Sequence, residues 1–593
     1  MANVMTLKNV KNHTSRSGFD LSRRRGMSVK ASQLEVVFAE DCLPGDNFPI
    51  EMSHFTRSMP LNRAAFTRMR EYIDFYFVPY NLLWDKFNYF VYQLSKESNK
   101  ATSINEVVNV SEEHPYCTTR DIILYLRAIR GSEYRQNFFG YQRAELTCKL
   151  LHELRMGDYY DFENDEHPLY KWPRKVNLWK LLAYQKVYFD HYRDTRWERV
   201  FAPAFNLNYM TGALGTNALP IYQIVNSNDG GQMYNMFDMR YSNWSKDMFM
   251  GVMPNSQFGD AASVDLSSLI NPSGNPSLSM YSGSNNQNVS TNSNGYLQTD
   301  NGNTSWYLST PALTNIANAM GLTPERLSSA FTILALRKAE ALQKMNEVTQ
   351  ANDLDIPSQA DAHWNVKVSD ALSDKSRWLG GDVANFDISE VPNTNITGDN
   401  EATIAGKGTS ASRGRVQFST DVHGVLIGIY RIVPVLEYSI SGIHKSNLKT
   451  KVTDYAQPEF DRTGMVQVPL IELTANYDVD NPPIQDALLG YAPQYYEYKT
   501  SYDDVCGALY NGGADFSGWV APFDNSYIDN WLDAIGSSDV RNLNYTFFKI
   551  NPNILDPLFA VNADDSVNTD QFVVNIFFDC KPVRKLDYDG LPY

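Results

Sequence analysis

The sequence predicts a mainly β protein, a β-sandwich whose connections have grown into long loops and several helices. Two alternating runs near opposite ends carry that expectation. In EYIDFYFVP (71–79), Ile73, Phe75 and Phe77 share one face while Tyr72, Asp74 and Tyr76 share the other. In the second run, Phe572, Val574, Ile576 and Phe578 fall on one face. A period of two with aromatic and β-branched residues is the pattern of a strand buried on one side. The third observation is what lies between them: apolar residues at helical spacing, then long polar stretches.

In chain order, residues 1–32 are polar, basic and without periodicity, the composition of a disordered or extended arm. Leu34, Val36 and Phe38 alternate as a first strand, closed by the turn residues Leu43-Pro44-Gly45-Asp46. Pro79 lacks a backbone donor and ends the next strand, after which Leu82, Leu83, Trp84 and Phe87 recur at the spacing of one short helix. A helical insertion is expected over about 115–200. Asp121 caps its first helix, stopped by Gly131; a second runs over Tyr141–Met156; a third spans Asn177–Arg199, with Trp179, Leu182, Val187, Phe189 and Tyr192 as its contacts. A polar surface insertion follows over about 215–325. Between Asp247 and Glu325 there is no Lys or Arg, and residues 254–306 are mostly Ser, Asn and Gly, too polar to build a core. Thr323-Pro324-Glu325 opens a helix with the stripe Leu327, Phe331, Leu334, Ala341 and Met345. After a second polar stretch, 390–415, strands are expected at Val416–Val435, Val466–Leu473, Tyr545–Ile550 and Phe572–Phe578.

The formal charge of −16 excludes a protein that binds nucleic acid over its whole surface. The charge is uneven. Lys8, Lys11, Arg16, Arg23, Arg24, Arg25 and Lys30 stand against Asp20 alone in residues 1–30, a local +6 on a body of −22. That layout gives one nucleic-acid-facing end. Five widely spaced cysteines without a CxxC pair read as free thiols of a reducing compartment. No apolar run is long enough to span a bilayer, so the chain is not expected to be membrane-embedded.

Catalytic and metal signatures are not found. His152-Glu153 does not continue to HExxH, and Gly406-Lys407-Gly408-Thr409 lacks the spacing of a phosphate loop. GxSxG does not occur. Adjacent acids such as Asp353 and Asp355, or Asp503 and Asp504, read as solvated loop residues. No enzyme, cofactor or metal is expected.

Several blocks together resemble the major capsid proteins of microviruses, the small icosahedral single-stranded DNA phages, and most closely the gokushovirus-like lineages. They are LPGD (43–46), FYFVPYNLLWDKF (75–87), RYSNWSKDMFMGVMP (240–254), FTILALRKAEALQK (331–344), RWLGG (377–381), DVHGVLIGIYRIVP (421–434) and FFDCKPVRKLDYDGLP (577–592), in family order. The resemblance implies an eight-stranded viral jelly roll filling residues 33–593. It further implies a homo-oligomeric T=1 icosahedral shell around a circular single-stranded DNA genome, a component of the virion assembled in the host bacterial cytoplasm. The basic arm is then expected to face the DNA through its seven cations. Other phage structural or scaffolding proteins are expected partners, and residues 254–306 the segment that contacts a host receptor. His423 and Gly424 are expected to serve the fold. The alternative from another class is a bacterial cell-surface glycan-binding protein, which would share the aromatic and Asn richness but needs an exported, anchored N-terminus.

Overall fold

The computed structural model describes residues 12, 14–61, 65–93, 113–132, 135–209, 235–260, 333–369, 372–392, 404–440, 442–474, 488–510, 519–520, 523, 545–559 and 570–589. It also describes four strands within 279–306. The chain divides into two units, residues 1–256 with 353–361 and 366–593, and residues 257–352 with 362–365.

The strands of the first unit are β1 (Ser17–Gly18), β2 (Arg23–Val29), β3 (Glu35–Cys42), β4 (Asn47–Ser58), β5 (Met69–Pro79), β6 (Cys117–Thr118) and β7 (Lys175–Val176). The second unit holds β8 (Ser279–Ser282), β9 (Asn285–Thr291), β10 (Leu297–Thr299) and β11 (Ser305–Trp306), an antiparallel meander. Back in the first unit come β12 (Arg377–Pro392), β13 (Ile404–Ser419), β14 (Gly424–Pro434), β15 (Met465–Pro469), β16 (Leu488–Pro493), β17 (Phe572–Cys580) and β18 (Val583–Arg584).

One antiparallel sheet dominates, in the order β1-β18-β4-β13-β12-β5-β14-β3, with β17 paired to β4 and β2 beside β17. Its curl comes from β12. Arg377–Phe386 of that strand pairs with β5, and Asp387–Pro392 pairs with β13, so one strand belongs to both halves. The half β2-β17-β4-β13 thereby folds over the half β12-β5-β14-β3, the β-sandwich that the alternating runs predicted and the jelly roll that the resemblance implied. The inward face of each half meets in one core. Phe38 of β3, Phe75 of β5 and Phe578 of β17 form its centre, with ring centroids 5.7, 5.2 and 6.3 Å apart. Phe572, Val574, Ile576 and Phe578 are all fully buried, whereas Val573 and Phe577 between them are exposed.

The RWLGG segment forms the start of β12. The register slips between Trp378 and Gly380, and a Cβ on Gly381 would sit 2.0 Å from the Ile73 carbonyl oxygen, so only glycine allows β12 to approach β5 there. Gly424 opens β14 for the same reason, since a Cβ would lie 2.5 Å from the Val78 oxygen. β14 is buried on both faces, which explains the apolar run VLIGIYRIVP, interrupted only at the half-buried Arg431.

The outer face of the second half carries a helical layer. Leu34, Val36, Tyr76, Val78, Val425, Ile427 and Ile429 pack with residues of the helices Thr119–Arg130, Arg143–Glu153 and Trp179–Val187. Thr118, not Asp121, is the N-cap of the first; Asp121 is its partner in a reciprocal capping box. Trp179, Leu182, Val187, Phe189 and Tyr192 are buried as expected, although the helix ends at Val187 and passes into a wider turn over Tyr188–Tyr192.

Several sequence expectations are corrected. The single helix after Pro79 is two short turns, Tyr80–Leu83 and Phe87–Val91, because Trp84 is extended between them. The run Val416–Val435 is the end of one strand and all of the next, reversed over residues 420–423. Much of the polar stretch 390–415 is β13, whose small residues IAGKGTSASRG hide a strand that packs through close approach: a Cβ on Gly408 would collide with Phe386. Residues 466–473 hold a shorter strand than expected, followed by a tight turn, and Tyr545–Phe548 is helical rather than extended. Residues 17–18 and 23–29 of the expected arm are strands. The Thr323-Pro324-Glu325 helix start, with Leu327 and Phe331, lies outside the described residues. The described helix, Ile333–Ala351, exposes Leu334 and Met345.

The alternation of β17 makes a sharp prediction. Phe578→Ala opens a cavity at the centre of the sandwich and is expected to lower unfolding stability by about 3–5 kcal/mol. Phe577→Ala, one residue away on the exposed face, is expected to change it by less than about 0.5 kcal/mol. Urea midpoints of the unassembled protein measure both.

Candidate nucleic-acid interface

The seven cations expected to face DNA do not act alike. Lys8 and Lys11 lie outside the described residues. Arg16 donates to the Gly45 carbonyl at 2.7 Å and so braces the LPGD turn. That turn is itself closed by the buried Asp46 carboxylate, which accepts from Leu43 N at 2.9 Å. The remaining four sit on or beside β2, where strand alternation divides them.

Arg23 and Arg25 point to the packed side. Arg23 pairs with Glu40, and its guanidinium lies 4.5 Å from the Phe38 ring centroid, against the aromatic core. Arg25 donates to the Glu153 carbonyl at 2.7 Å, and burial draws its pKa below the usual arginine range. Lys30 is almost fully buried, with its ammonium 4.1 Å from the Tyr141 ring centroid, and burial lowers its pKa too. These cations are neutralised by the fold. Nearby, Lys149 bonds Glu35 at 2.7 Å and Asp570 at 3.2 Å, while Glu153 accepts from Val36 N at 2.9 Å. Burial first, and Glu35 second, hold the Glu153 carboxyl well above its ordinary range.

Arg24 alone faces outward from β2, its Nε donating to Asn575 at 2.8 Å. Sequence reasoning missed the other cations on that side, because they arrive from distant strands. Arg57 of β4 and Lys407, Arg413 and Arg415 of β13 are exposed on the same face. The register sets Arg24 opposite Phe577, Phe577 opposite Ser53, and Ser53 opposite Arg413. Arg57 stands between Val573 and Thr409. Arg415 lies 3.7 Å from Glu51 in an exposed pair, whereas among the described residues Arg57 and Arg413 have no carboxylate partner. The signal available in the sequence was the every-second-residue spacing of Arg413 and Arg415.

The other blocks that resembled a known family serve the fold. Arg240 donates from Nε to Gln185 at 2.6 Å and lies over the Tyr188 ring. Asp247 caps the turn that follows, accepting from Phe249 N at 2.9 Å, Met250 N at 2.8 Å and the Tyr438 hydroxyl at 2.8 Å. The His423 carbonyl accepts from Tyr80 N at 3.1 Å, and its ring meets Phe87 edge-on. Cys42, Cys117, Cys148 and Cys580 are buried free thiols; Cys506 is exposed. Among the described residues no group of three or more His, Cys, Asp or Glu could hold a metal, and no helix is long and apolar enough to cross a membrane.

Comparison with known proteins shows the family. The phage family described as "Capsid protein (F protein)" matches residues 8–143 and 172–592, nearly the whole chain. The chain belongs to that capsid family. It is similar to capsid protein VP1 of Chlamydia phage 1, with 20% identity over 97% of this chain and 95% of the relative. It is also similar to capsid protein VP1 of Bdellovibrio phage phiMH2K, with 21% identity over 98% and 96%. Both phages are gokushoviruses of the Microviridae. Members of this capsid family are structural proteins, so the chain is a major capsid protein that assembles with copies of itself as a component of the virion.

The split along β2 predicts different outcomes for neighbouring arginines. Arg25→Ala strands the Glu153 carbonyl and is expected to cost about 1–3 kcal/mol of stability. Arg24→Ala, on the solvent side, is expected to cost less than about 0.5 kcal/mol. Denaturant unfolding of the unassembled protein distinguishes them.

Proposed function

We propose that copies of this chain close into a T=1 icosahedral shell around a circular single-stranded DNA genome. The observation that carries the reading is the capsid-family match over residues 8–143 and 172–592. The family match also favours this reading over a cell-surface glycan-binding protein. The genome meets the sheet face bearing Arg24, Arg57 and Arg413, with Lys8 and Lys11 from the arm adding phosphate contacts. Arg16, Arg23, Arg25 and Lys30 hold the fold beneath it. Phosphates are neutralised there without reading sequence.

The buried free thiols suit assembly in the reducing cytoplasm of a host bacterium, with scaffolding or other phage proteins as partners. Residues 254–306, without a single Lys or Arg, suit the outside of the shell and a protein or glycan receptor on the host.

Electron microscopy of nuclease-treated, density-banded particles from the native source tests the proposal. Uniform small icosahedral particles containing this chain and protected single-stranded DNA are expected. Recovery of the chain only in a particle-free, membrane-associated fraction would refute the shell.

A further inference from the structure

We infer that the outer face of the β2-β17-β4-β13 half is a base-stacking platform for single-stranded DNA, with Phe55 and Phe577 as the stacking rings. The inference rests on the shell reading and adds to it a site and a binding mode that phosphate neutralisation does not require.

Two observations carry it. First, both rings stand in solvent on strands whose other side is core: Phe55 is 39% exposed and Phe577 48%. Phe577 faces Ser53 and Phe55 faces Asn575, so the rings are diagonal neighbours on adjacent strands, roughly 7–8 Å apart at Cα. The two rings and Val573, 52% exposed beside them, make a small apolar patch on the solvent side of the sheet. Second, the surroundings are cationic on a chain of net charge −16. Arg24 stands directly opposite Phe577, the Arg57 guanidinium lies 5.0 Å from the Phe55 ring centroid, and Arg413 is diagonal to Phe55 across the next ladder. The two cross-strand rows that hold the rings contain no acid. The acids of the next row, Glu51 and Asp579, are paired with Arg415 and with Lys581 at 3.0 Å.

The occupant follows from charge and shape. An apolar protein patch would leave Arg57 and Arg413 without counter-charges, and a basic partner would be repelled. A duplex keeps its base faces stacked inside and cannot offer them to a flat sheet. A single strand offers both phosphates for the arginines and free base faces for the rings. Phenylalanine has no hydrogen-bonding group, so the platform takes any sequence, as a genome-lining surface must.

The test uses purified particles and the unassembled protein. Ultraviolet crosslinking of nuclease-treated particles, followed by digestion and mass spectrometry, is expected to place nucleotide adducts on the peptides holding Phe55 and Phe577. In solution, the double variant Phe55→Leu, Phe577→Leu keeps an apolar side chain but loses the ring. It is expected to bind a fluorescent oligothymidylate at least tenfold more weakly, a loss of about 1.4 kcal/mol or more. An abasic oligomer of the same length is expected to bind both proteins alike. An unchanged urea midpoint shows that the variant is folded. Protected DNA with adducts only on other peptides, or undiminished oligothymidylate binding by the double variant, overturns the platform and leaves the shell standing. Particles without DNA overturn both. A variant that binds the oligomer normally but forms no particles shows the face to be a contact between proteins, which also overturns it.

Discussion

The contact among Phe38, Phe75 and Phe578 is the one on which the sandwich depends. The three rings come from β3, β5 and β17, strands of both halves of the curled sheet, and they meet at 5.2 to 6.3 Å in tilted and edge-on geometry. Each such pair adds about 0.5–1.5 kcal/mol beyond the area it buries. More important is what their position enforces. A one-residue slip of β17 against β4 would turn Phe577 and Val573 inward and push Phe578 and Ile576 into water, so the core fixes the register. The register in turn fixes which residues line the solvent face. Arg24 stands opposite Phe577, and Arg413 reaches the same row, because Phe578 is locked beneath them.

Buried charge is the second constraint. The chain places lysines, carboxylates and arginines inside, and several of them are paired in a specific geometry. Arg143 and Asp238 form two parallel bonds of 3.0 and 2.8 Å with both side chains almost fully buried. His54 Nε2 lies 2.9 Å from the Glu71 carboxylate, whose other contacts include the Thr56 hydroxyl at 3.1 Å. Removing one member of such a pair costs more than the pair contributes, since the survivor is left charged in a poor solvent. These networks therefore specify which strand or helix lies beside which, more than they add net stability.

The strands legible in the sequence were those with apolar residues at every second position, 71–79 and 572–578; in 416–435 the continuous apolar run of β14 hid the reversal that precedes it. β2 and β13 were not legible, for one shared reason. Their inward positions are filled by Arg23, Arg25, Gly408, Ser410 and Gly414, residues that score as polar or flexible. Their burial depends on partners far along the chain, Glu40, Glu153, Phe386 and Met52. Periodicity reports a face only when the face is apolar. The helix at Tyr80–Leu83 failed differently: its spacing was right, but Trp84 is drawn into the aromatic cluster with Trp179 and Phe90, which breaks the helix after one turn. The charge asymmetry of the first thirty residues was read correctly as an asymmetry and incompletely as a surface. Strand alternation, invisible in a net charge, turns Arg23 and Arg25 inward and leaves Arg24 outside.

That alternation also explains how one sheet keeps a packed face and an exposed face of quite different composition. On β2, β17, β4 and β13 the odd and even positions answer to different demands. One set fills the sandwich, and the other stands in solvent. The exposed set collects Arg24, Phe577, Phe55, Arg57 and Arg413 from four strands separated by hundreds of residues, a grouping that exists only once the register is set. A substitution in the basic segment therefore has an effect decided by its parity. Changes at Arg23 or Arg25 break contacts with Glu40 and the Glu153 carbonyl and loosen the sandwich. Only a change at Arg24 reports on the surface itself.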